Sequence, residues 1–299
     1  MVKIPNKVFP YRLPYMGSKQ NIAYSLMLTM IQKKPKAKYF FDIFGGGASM
    51  SLMAKQFGLK VFYTEKNAGI VNLLNFLKDN KIPKDWIKWI DREEFKKCLN
   101  KNDPYSVFIS VVWSFGNNRQ EYLFGKDIEE NKRLAFEVVV NKDFSCLQQL
   151  NKKFSIKLKM PTEARLSERR LNFSKQIKSI QGFKKGMPEL IQIQSITQLE
   201  CCSRLQQLEY LQQLEYLNEE VIIYCDPPYR NTAEYTDNGF DYKEFDNWVR
   251  KLKYDVFISE YNTPFEKIAS FGKMSLLNNS KDKKPLISEN LYFHKVENT

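Results

Sequence analysis

At residues 221–229 the chain reads Val-Ile-Ile-Tyr-Cys-Asp-Pro-Pro-Tyr, an apolar run followed by an acid, two prolines and a tyrosine. The first five of these residues are apolar or aromatic and include β-branched side chains, which is typical of a buried strand. Pro227 and Pro228 cannot continue a strand ladder or a helix, so the strand ends there. The carboxylate of Asp226 and the ring of Tyr229 therefore lie at the carboxyl end of a strand. In open α/β sheets this is where ligands bind.

The groups at residues 226–229 suit one kind of ligand. An ionised aspartate only accepts hydrogen bonds, and the carbonyl of Pro227 is a second acceptor. Tyr229 adds a flat aromatic face. Two acceptors beside a stacking surface favour a planar ring that carries an exocyclic amino group. Four residues alone leave a plainer interpretation open, in which Asp226 is a solvated residue of a proline-rich turn.

A second strand and a glycine-rich bend lie near the start of the chain, at residues 39–49. The bend at Gly45–Gly47 allows close approach of a ligand to the backbone, and the following helix, predicted from Ala48 to about Phe57, offers N–H groups. A further strand over residues 60–64 ends at Glu65, where an acid can accept both hydroxyls of a ribose. The spacing does not match a dinucleotide site, which disfavours nicotinamide and flavin. A structural glycine turn with a solvated Glu65 is the alternative.

Composition narrows the class of partner. Among 299 residues, 47 are Lys or Arg and 34 are Asp or Glu, which gives a net charge of +13. This excess favours a polyanion, most simply nucleic acid, although a solvated basic surface would have the same composition. No apolar stretch approaches the length of a membrane span, so we expect no membrane association.

Cysteine and histidine usage excludes several chemistries. The five cysteines are odd in number and show no zinc spacing, which favours a reducing cytosol. His294 is the only histidine, which disfavours a histidine metal site and a serine–histidine triad. Cys225 lies inside a predicted strand, which disfavours a thiol nucleophile of the kind that cytosine C5 methylation needs.

Periodicity and end signals predict the remaining elements. Ser18 is a candidate N-cap for a helix over residues 22–31, and Asp241 begins a capping box for a helix with Phe245, Trp248, Val249 and Leu252 inward. Further predictions are helices at 67–77 and 86–95, the latter packed on the sheet, a buried element at 107–113, a strand at 255–261, a short helix starting at Thr263-Pro264, and a closing strand at 287–293.

The middle of the chain is predicted to be an insert. Strand–helix alternation fades between residues 116 and 183, and a helix there presents a basic side suited to phosphates, or else a solvated face. A leucine repeat with a period of three residues follows at 193–217, and we interpret it as a structural spacer. We expect a catalytic domain of residues 1–115 and 184–299, with a target-recognition segment at 116–183. The basic residues are Arg165, Arg169, Arg170, Lys175 and Lys178.

The ordered set of motifs resembles the Dam-like, D12 class of DNA adenine N6-methyltransferases. The likeness covers nearly the whole chain and implies an α/β fold, a Rossmann-like methyltransferase sheet with an inserted target-recognition domain. The recognition segment does not match the readers of GATC, so the likeness gives no target sequence. The motifs are Tyr15-Met16-Gly17-Ser18-Lys19, Asp42-Ile43-Phe44-Gly45-Gly46-Gly47, Glu65, Ser114-Phe115-Gly116-Asn117-Asn118 and Asp226-Pro227-Pro228-Tyr229.

The resemblance implies S-adenosylmethionine as the methyl donor, and it assigns roles to individual residues. Catalysis would fall to Asp226, Pro227 and Tyr229, which would hold the amino group of an adenine flipped out of the duplex. Close Dam relatives commonly have Asp where this chain has Glu65. The residues expected to bind the cofactor are Tyr15, Gly17, Lys19, Asp42, Phe44, Gly45, Gly47, Glu65 and Asp226.

The same likeness implies double-stranded DNA as the partner, a cytoplasmic location and a monomer or weak dimer, with a cognate restriction endonuclease as a possible companion. Three alternatives remain open from the sequence. Because Asp-Pro-Pro-Tyr binds an amino group on either base, the product could be N4-methylcytosine, or the substrate could be RNA. A catalytically silent DNA-binding protein on the same scaffold is the third.

Overall fold

The apolar stretch at Val221–Cys225 forms β3, which lies within a six-stranded sheet and has all five residues buried. In this computed structural model the strand order is β2-β1-β3-β4-β6-β5. The other strands are β1 (Tyr39–Asp42), β2 (Lys60–Tyr63), β4 (Val256–Glu260), β5 (Glu266–Met274) and β6 (Leu286–His294). The structure describes residues 2–8, 13–178, 218–230, 239–274 and 286–296. The leucine repeat at 193–217 lies outside them.

Strands β2, β1, β3 and β4 are parallel, so their carboxyl ends lie at the same edge of the sheet. Asp42, the last residue of β1, pairs with Tyr63 of β2 on one side and Tyr224 of β3 on the other. β4 runs parallel to β3, while β6 runs antiparallel to β4 and places Asn290 opposite Glu260. The amino-terminal part of β6 therefore reaches the edge at which the parallel strands end. This mixed sheet confirms the predicted α/β class and is consistent with a Rossmann-like methyltransferase fold.

Helices cover both faces of the sheet, as the uninterrupted apolar strands require. On one face, α1 (Ala23–Lys33) and α2 (Ser49–Gln56) bury their apolar sides against Phe40, Ile222 and Phe257. On the other, α9 (Tyr242–Lys251) packs through Phe245 and Val249. Each fully buried phenylalanine contributes about 1.5–3 kcal/mol of hydrophobic stabilisation.

The chain divides into two compact units. The sheet and the helices α1, α2 and α9 belong to the first unit, which includes the described residues at 18–66 and from 218 onward. The second unit contains the described residues 13–17 and 67–178. Its helices are α3 (Ala68–Asp79), α4 (Arg92–Cys98), α5 (Pro104–Val112), α6 (Glu129–Val140), α7 (Phe144–Phe154) and α8 (Leu166–Lys178).

Side-chain caps and an aromatic core organise the second unit. Asp91 and Asp103 cap α4 and α5, each accepting a hydrogen bond from a backbone N–H three residues on. Trp113 is fully buried and contacts Trp89 and Phe136. The larger segment of the second unit starts at residue 67, because α3 and α4 both pack against α5, whereas the sequence predicts an insert that starts at residue 116. A target-recognition role for residues 116–183 stays a prediction.

Four local predictions were wrong. Ser18 does not cap α1, since its Oγ is buried without a hydrogen-bond partner in the described part of the chain, and the helix begins after Ile22. Residues 86–95 do not form one helix: a 3-10 turn at Lys84–Trp86 is separated from α4. Thr263-Pro264 does not start a helix. It lies in a turn, in which the Thr263 hydroxyl accepts a hydrogen bond from the Phe265 N–H, and strand β5 follows. Trp248 is 38% exposed, so it does not face inward.

No helix in the ranges that the structure describes combines the length and the apolar character needed to cross a membrane.

Candidate active site

An acid lies at or just after the carboxyl end of each parallel strand. Asp42 ends β1, Glu65 follows β2, Asp226 follows β3, and Glu260 ends β4. Because these strand ends lie along one edge of the sheet, the edge collects negative charge. The sequence predicted three of these acids, and Glu260 is an addition from the structure.

Asp42 connects β1 to the first turn of α2. Its Oδ2 accepts hydrogen bonds from the backbone N–H of Ser51 at 3.1 Å and from the Ser51 hydroxyl at 2.6 Å. Burial raises the pKa of Asp42 to about 7, although the Ser51 hydroxyl opposes the shift. One oxygen of this predicted cofactor residue therefore stabilises the glycine turn and its helix.

The glycine turn is fixed by contacts from β2 and the residues after it. Gly45 N–H donates to the Thr64 carbonyl at 2.8 Å, and Gly46 N–H donates to Glu65 Oε2 at 2.8 Å. The hydroxyl of Tyr63 donates to the Gly46 carbonyl at 2.7 Å. A Cβ on Gly45 would lie 2.1 Å from Cε2 of Tyr63, so only glycine fits. The turn and Glu65 are thus held together as one rigid piece.

Phe44 and Gly47, also predicted to bind the cofactor, flank this turn. The Phe44 ring makes edge contacts with Phe240 and Phe245 at centroid distances of 5.8 Å. Gly47 is buried immediately before Ala48, which has a left-handed φ of 61°. Both residues shape the chain between β1 and α2.

Asp226 belongs to a buried ionic cluster with Lys19, Tyr229 and Glu289. Lys19 Nζ lies 2.6 Å from Asp226 Oδ2 and 3.1 Å from Glu289 Oε1. The Tyr229 hydroxyl donates to the same Glu289 oxygen at 2.5 Å, and Lys19 Nζ lies 4.8 Å from the centroid of the Tyr229 ring. Residues distant in sequence thus surround the Asp-Pro-Pro-Tyr turn.

Burial controls the electrostatics of this cluster. Lys19 is 4% exposed and Glu289 is 2% exposed. Burial disfavours the charge on Lys19, but Asp226 and Glu289 outweigh it and raise its pKa above the usual value. Burial raises the pKa of Asp226 to about 6, against the opposing attraction of Lys19. Oδ1 of Asp226 is buried and has no hydrogen-bond partner among the residues that the structure describes.

The segment after Tyr229 is tied back to β4. Glu260, 1% exposed, accepts from the Arg230 N–H at 3.1 Å and from the Tyr261 N–H at 2.7 Å. Burial raises the pKa of Glu260 to about 7. Arg230 also pairs with Asp246 of α9 at 2.7 Å, and the Tyr261 ring meets the Tyr229 ring edge-on at 4.6 Å. These contacts fix the direction in which the turn leaves β3.

Sequence reasoning missed Glu289, although a signal was present. In the predicted closing strand, Glu289 lies on the same face as Leu291 and Phe293, because side chains alternate along a strand. Both of these residues are buried on the face covered by α1 and α2. An acid at an inward-facing strand position needs a partner. The pattern could therefore have marked Glu289 as part of a site, but could not have named Lys19 as its partner.

The remaining predicted residues lie in the second unit. Gly17 has a left-handed φ of 77°, and Tyr15 is half-buried. In the motif at 114–118, Gly116 and Asn117 also have positive φ, and the Phe115 side chain is 53% exposed. Cofactor contacts by Tyr15 and Gly17 stay predictions.

The predicted basic side of α8 is divided between two roles. Arg169 donates to the carbonyls of Val139 at 2.7 Å and Ala164 at 2.9 Å, which ties α8 to the end of α6. Arg165, just before α8, has an 81% exposed side chain that lies 3.7 Å from Glu168 Oε1, and a phosphate contact there stays a prediction. Arg169 is therefore structural in this arrangement.

Comparison with protein families decides the class of enzyme. The model of the D12 class N6 adenine-specific DNA methyltransferases matches residues 15–284. The chain belongs to this family. The match begins at the predicted Tyr15 motif and includes the Asp-Pro-Pro-Tyr turn, and it ends before Glu289. A comparison with curated proteins found no match.

Family membership confirms the resemblance drawn from the motifs. As a D12 class methyltransferase, the protein is an enzyme that methylates N6 of adenine in DNA at specific sites, and the family implies S-adenosylmethionine as donor.

Proposed function

We propose that this D12 methyltransferase binds an adenine, flipped out of duplex DNA, against Asp226, Pro227 and Tyr229. The observation that carries the proposal is Oδ1 of Asp226, a buried acceptor with no hydrogen-bond partner in the described ranges. A buried acceptor left without a donor is costly, so such an atom at a strand end favours an incoming N–H group. The N6 amino group of adenine is such a donor.

The residues at the sheet edge fit S-adenosylmethionine. When bound, this cofactor supplies an electrophilic methyl group carried on a positively charged sulfur. Gly45–Gly47 would lie under its methionine part, and Glu65, already held by Gly46, would accept from its ribose hydroxyls. Two carboxylates share one ammonium in the cluster of Lys19, Asp226 and Glu289, and the remaining negative charge favours a cationic ligand.

Asp226 and Pro227 would orient the reacting nitrogen. Oδ1 of Asp226 and the Pro227 carbonyl would each accept one N6–H, which directs the nitrogen lone pair away from ring conjugation. Tyr229 would stack on the base, and its hydroxyl is held by Glu289. The nitrogen loses one proton as it gains the methyl group, and Asp226, whose pKa burial raises to about 6, is suited to accept it. Positioning and electrostatics supply the acceleration.

The neighbouring cysteine does not act as a nucleophile in this proposal. Cys225 is fully buried in β3, and burial raises the pKa of its thiol well above the usual value. A neutral, inaccessible thiol cannot attack a base. This supports amino-group methylation over cytosine C5 methylation.

Duplex DNA is the substrate in this proposal, and the net charge of +13 supports a polyanionic partner. A monomer or weak dimer and a cognate restriction endonuclease are further expectations from the family resemblance. Native mass spectrometry of the purified protein would measure the oligomeric state directly.

The decisive experiment is methylation of duplex DNA with methyl-labelled S-adenosylmethionine, followed by digestion to nucleosides. We expect the label in N6-methyladenine. Label in N4-methylcytosine would keep the mechanism and overturn the base assignment. Bound cofactor without labelled DNA would direct the search to RNA, and absence of cofactor binding would favour a silent DNA-binding protein.

Replacing Gly45 by alanine should weaken both the fold and cofactor binding. The new Cβ would overlap the buried Tyr63 ring, and such overpacking costs about 1–3 kcal/mol of unfolding free energy. Guanidinium unfolding and calorimetric titration with S-adenosylmethionine would measure the two effects. Gly125→Ala is the matched control, because its Cβ meets only the exposed side chain of Asp127. Equal losses in both variants would contradict the expectation.

A further inference from the structure

Glu289 is the member of the buried cluster to which the proposed function gives no chemical step. It lies on β6, the antiparallel strand, next to Asn290, which pairs with Glu260 at the end of β4. This register brings its carboxylate to the edge of the sheet at which Asp226 lies. Its Oε1 contacts both Lys19 Nζ and the Tyr229 hydroxyl. One oxygen thus touches two of the groups that surround Asp226.

Charge sharing within the cluster determines how Lys19 acts on Asp226. If Lys19 had Asp226 as its single partner, a compact ion pair would cancel the charge of both residues and weaken Asp226 as an acceptor. Glu289 draws Lys19 toward a second carboxylate, at 3.1 Å. The cluster of Lys19, Asp226 and Glu289 then holds two carboxylates and one ammonium, beside Oδ1 of Asp226, which has no hydrogen-bond partner among the described residues.

We propose that Glu289 is a positioning residue for methyl transfer: it shares Lys19 with Asp226, holds the Tyr229 hydroxyl, and so keeps Asp226 available to the adenine amino group. This inference rests on the proposed function of Asp226. Glu289 itself does not contact the substrate in this arrangement. It acts through Lys19 and Tyr229.

The groups that influence Asp226 come from every neighbouring element of the site. The carboxylate of Glu289 raises the pKa of Asp226, after the larger effect of burial, and Lys19 lowers it. A change at Glu289 therefore has a predictable sign. Among the described residues, the titratable groups that interact with Asp226 are Lys19, Asp42, Tyr224, Cys225, Tyr229, Glu260, Tyr261 and Glu289.

Glu289→Gln tests the inference, because glutamine keeps the shape and removes the charge. We expect kcat to fall roughly 10-fold while KM for S-adenosylmethionine changes less, since Asp226 becomes a weaker acceptor. The acid limb of the kcat profile should move to lower pH, because loss of the neighbouring charge lowers the pKa of Asp226. A variant that loosened the fold would also lower the pKa of Asp226 by hydrating its carboxylate, so urea unfolding must show that Glu289→Gln keeps the stability of the unmodified protein.

Titration of Asp226 by carbon-13 NMR provides a readout that does not depend on catalysis. Its resonance can be assigned by comparison with Asp226→Asn. We expect a lower pKa for Asp226 in Glu289→Gln than in the unmodified protein. This measurement also separates two failures: an inactive enzyme would overturn the proposed function, whereas an unshifted Asp226 would overturn the role of Glu289.

Asp255→Asn is the matched control. Asp255 is a buried acid paired with the buried Lys34, and it lies at the opposite end of β4 from Glu260. Its substitution should change stability without moving the acid limb. Glu289→Asp is a second variant that retains the charge, so it should keep the limb in place even if kcat falls. The same shift in Asp255→Asn, or no shift in Glu289→Gln, would overturn the inference.

Discussion

Asp226→Asn should reduce the rate of methyl transfer by about 1000-fold, the upper end of the range for loss of one preorganised electrostatic group. Asparagine has nearly the same shape, but it lacks the negative charge that draws the amino group. Its amide can also turn an N–H donor toward the N6 hydrogens. Single-turnover methylation of duplex DNA would measure the loss. DNA affinity, measured by fluorescence anisotropy, should change little because it depends mainly on basic residues.

The same substitution should make the fold more stable at neutral pH. Burial raises the pKa of Asp226 in the folded protein to about 6 from an ordinary value of 3.8. The folded state therefore binds more protons than the unfolded state between these values, and stability falls as the pH rises through this window. Removing the ionised carboxylate should recover up to about 3 kcal/mol at pH 7.5, and the gain should vanish near pH 4.

Urea unfolding at pH 7.5 and near pH 4 would check whether Asp226→Asn gains stability while it loses activity. Asp255→Asn again provides the contrast. Its pKa is lowered, because Lys34 and the Val296 N–H outweigh burial, so the variant should lose stability at neutral pH. An Asp226→Asn protein that retained activity would rule out the acceptor role. One that lost stability would instead indicate that Asp226 holds the fold together.

Local sequence signals were sufficient for the strands that form the site. The runs at residues 39–41 and 221–225 are short and apolar, and a glycine-rich bend or a pair of prolines follows shortly after each. The same kind of reasoning wrongly predicted a helix at Thr263-Pro264. A hydroxyl residue followed by proline is as common in a turn before a strand as at the start of a helix. Pairing with β6 makes residues 266–274 a strand, and that contact lies outside any local window.

The site itself was only partly predictable. Asp226, Tyr229 and Lys19 were identified from motifs, but their mutual contacts depend on where the chain before α1 meets the end of β3. Glu289 reaches the site because of the register of β6 against β4. A slip of one residue would turn its side chain to the other face of the sheet. Sequence patterns specify the face on which a residue lies, whereas partners across a sheet depend on nonlocal packing.

Lys19→Met should cost about 3–5 kcal/mol of unfolding free energy at neutral pH, because it leaves two buried carboxylates without their cation. The pKa of Lys19 is raised in the folded state, so on the alkaline side the stabilisation by its ammonium persists up to pH 10.5 and is lost only above that pH. The variant should recover stability as the pH falls toward 5, since protonation of Asp226, whose pKa burial raises to about 6, relieves its repulsion with Glu289. Urea unfolding at pH 7.5 and pH 5 would measure both effects.

Catalysis should respond to Lys19→Met in the direction opposite to Glu289→Gln. Lys19 lowers the pKa of Asp226, so its loss should move the acid limb of the kcat profile to higher pH. Lys34→Met is the matched control, because Lys34 is equally buried and pairs with Asp255 and Asn218 away from the site. It should lose comparable stability with an unmoved acid limb. If Lys19→Met showed the same unmoved limb, Lys19 would stabilise the fold without tuning Asp226.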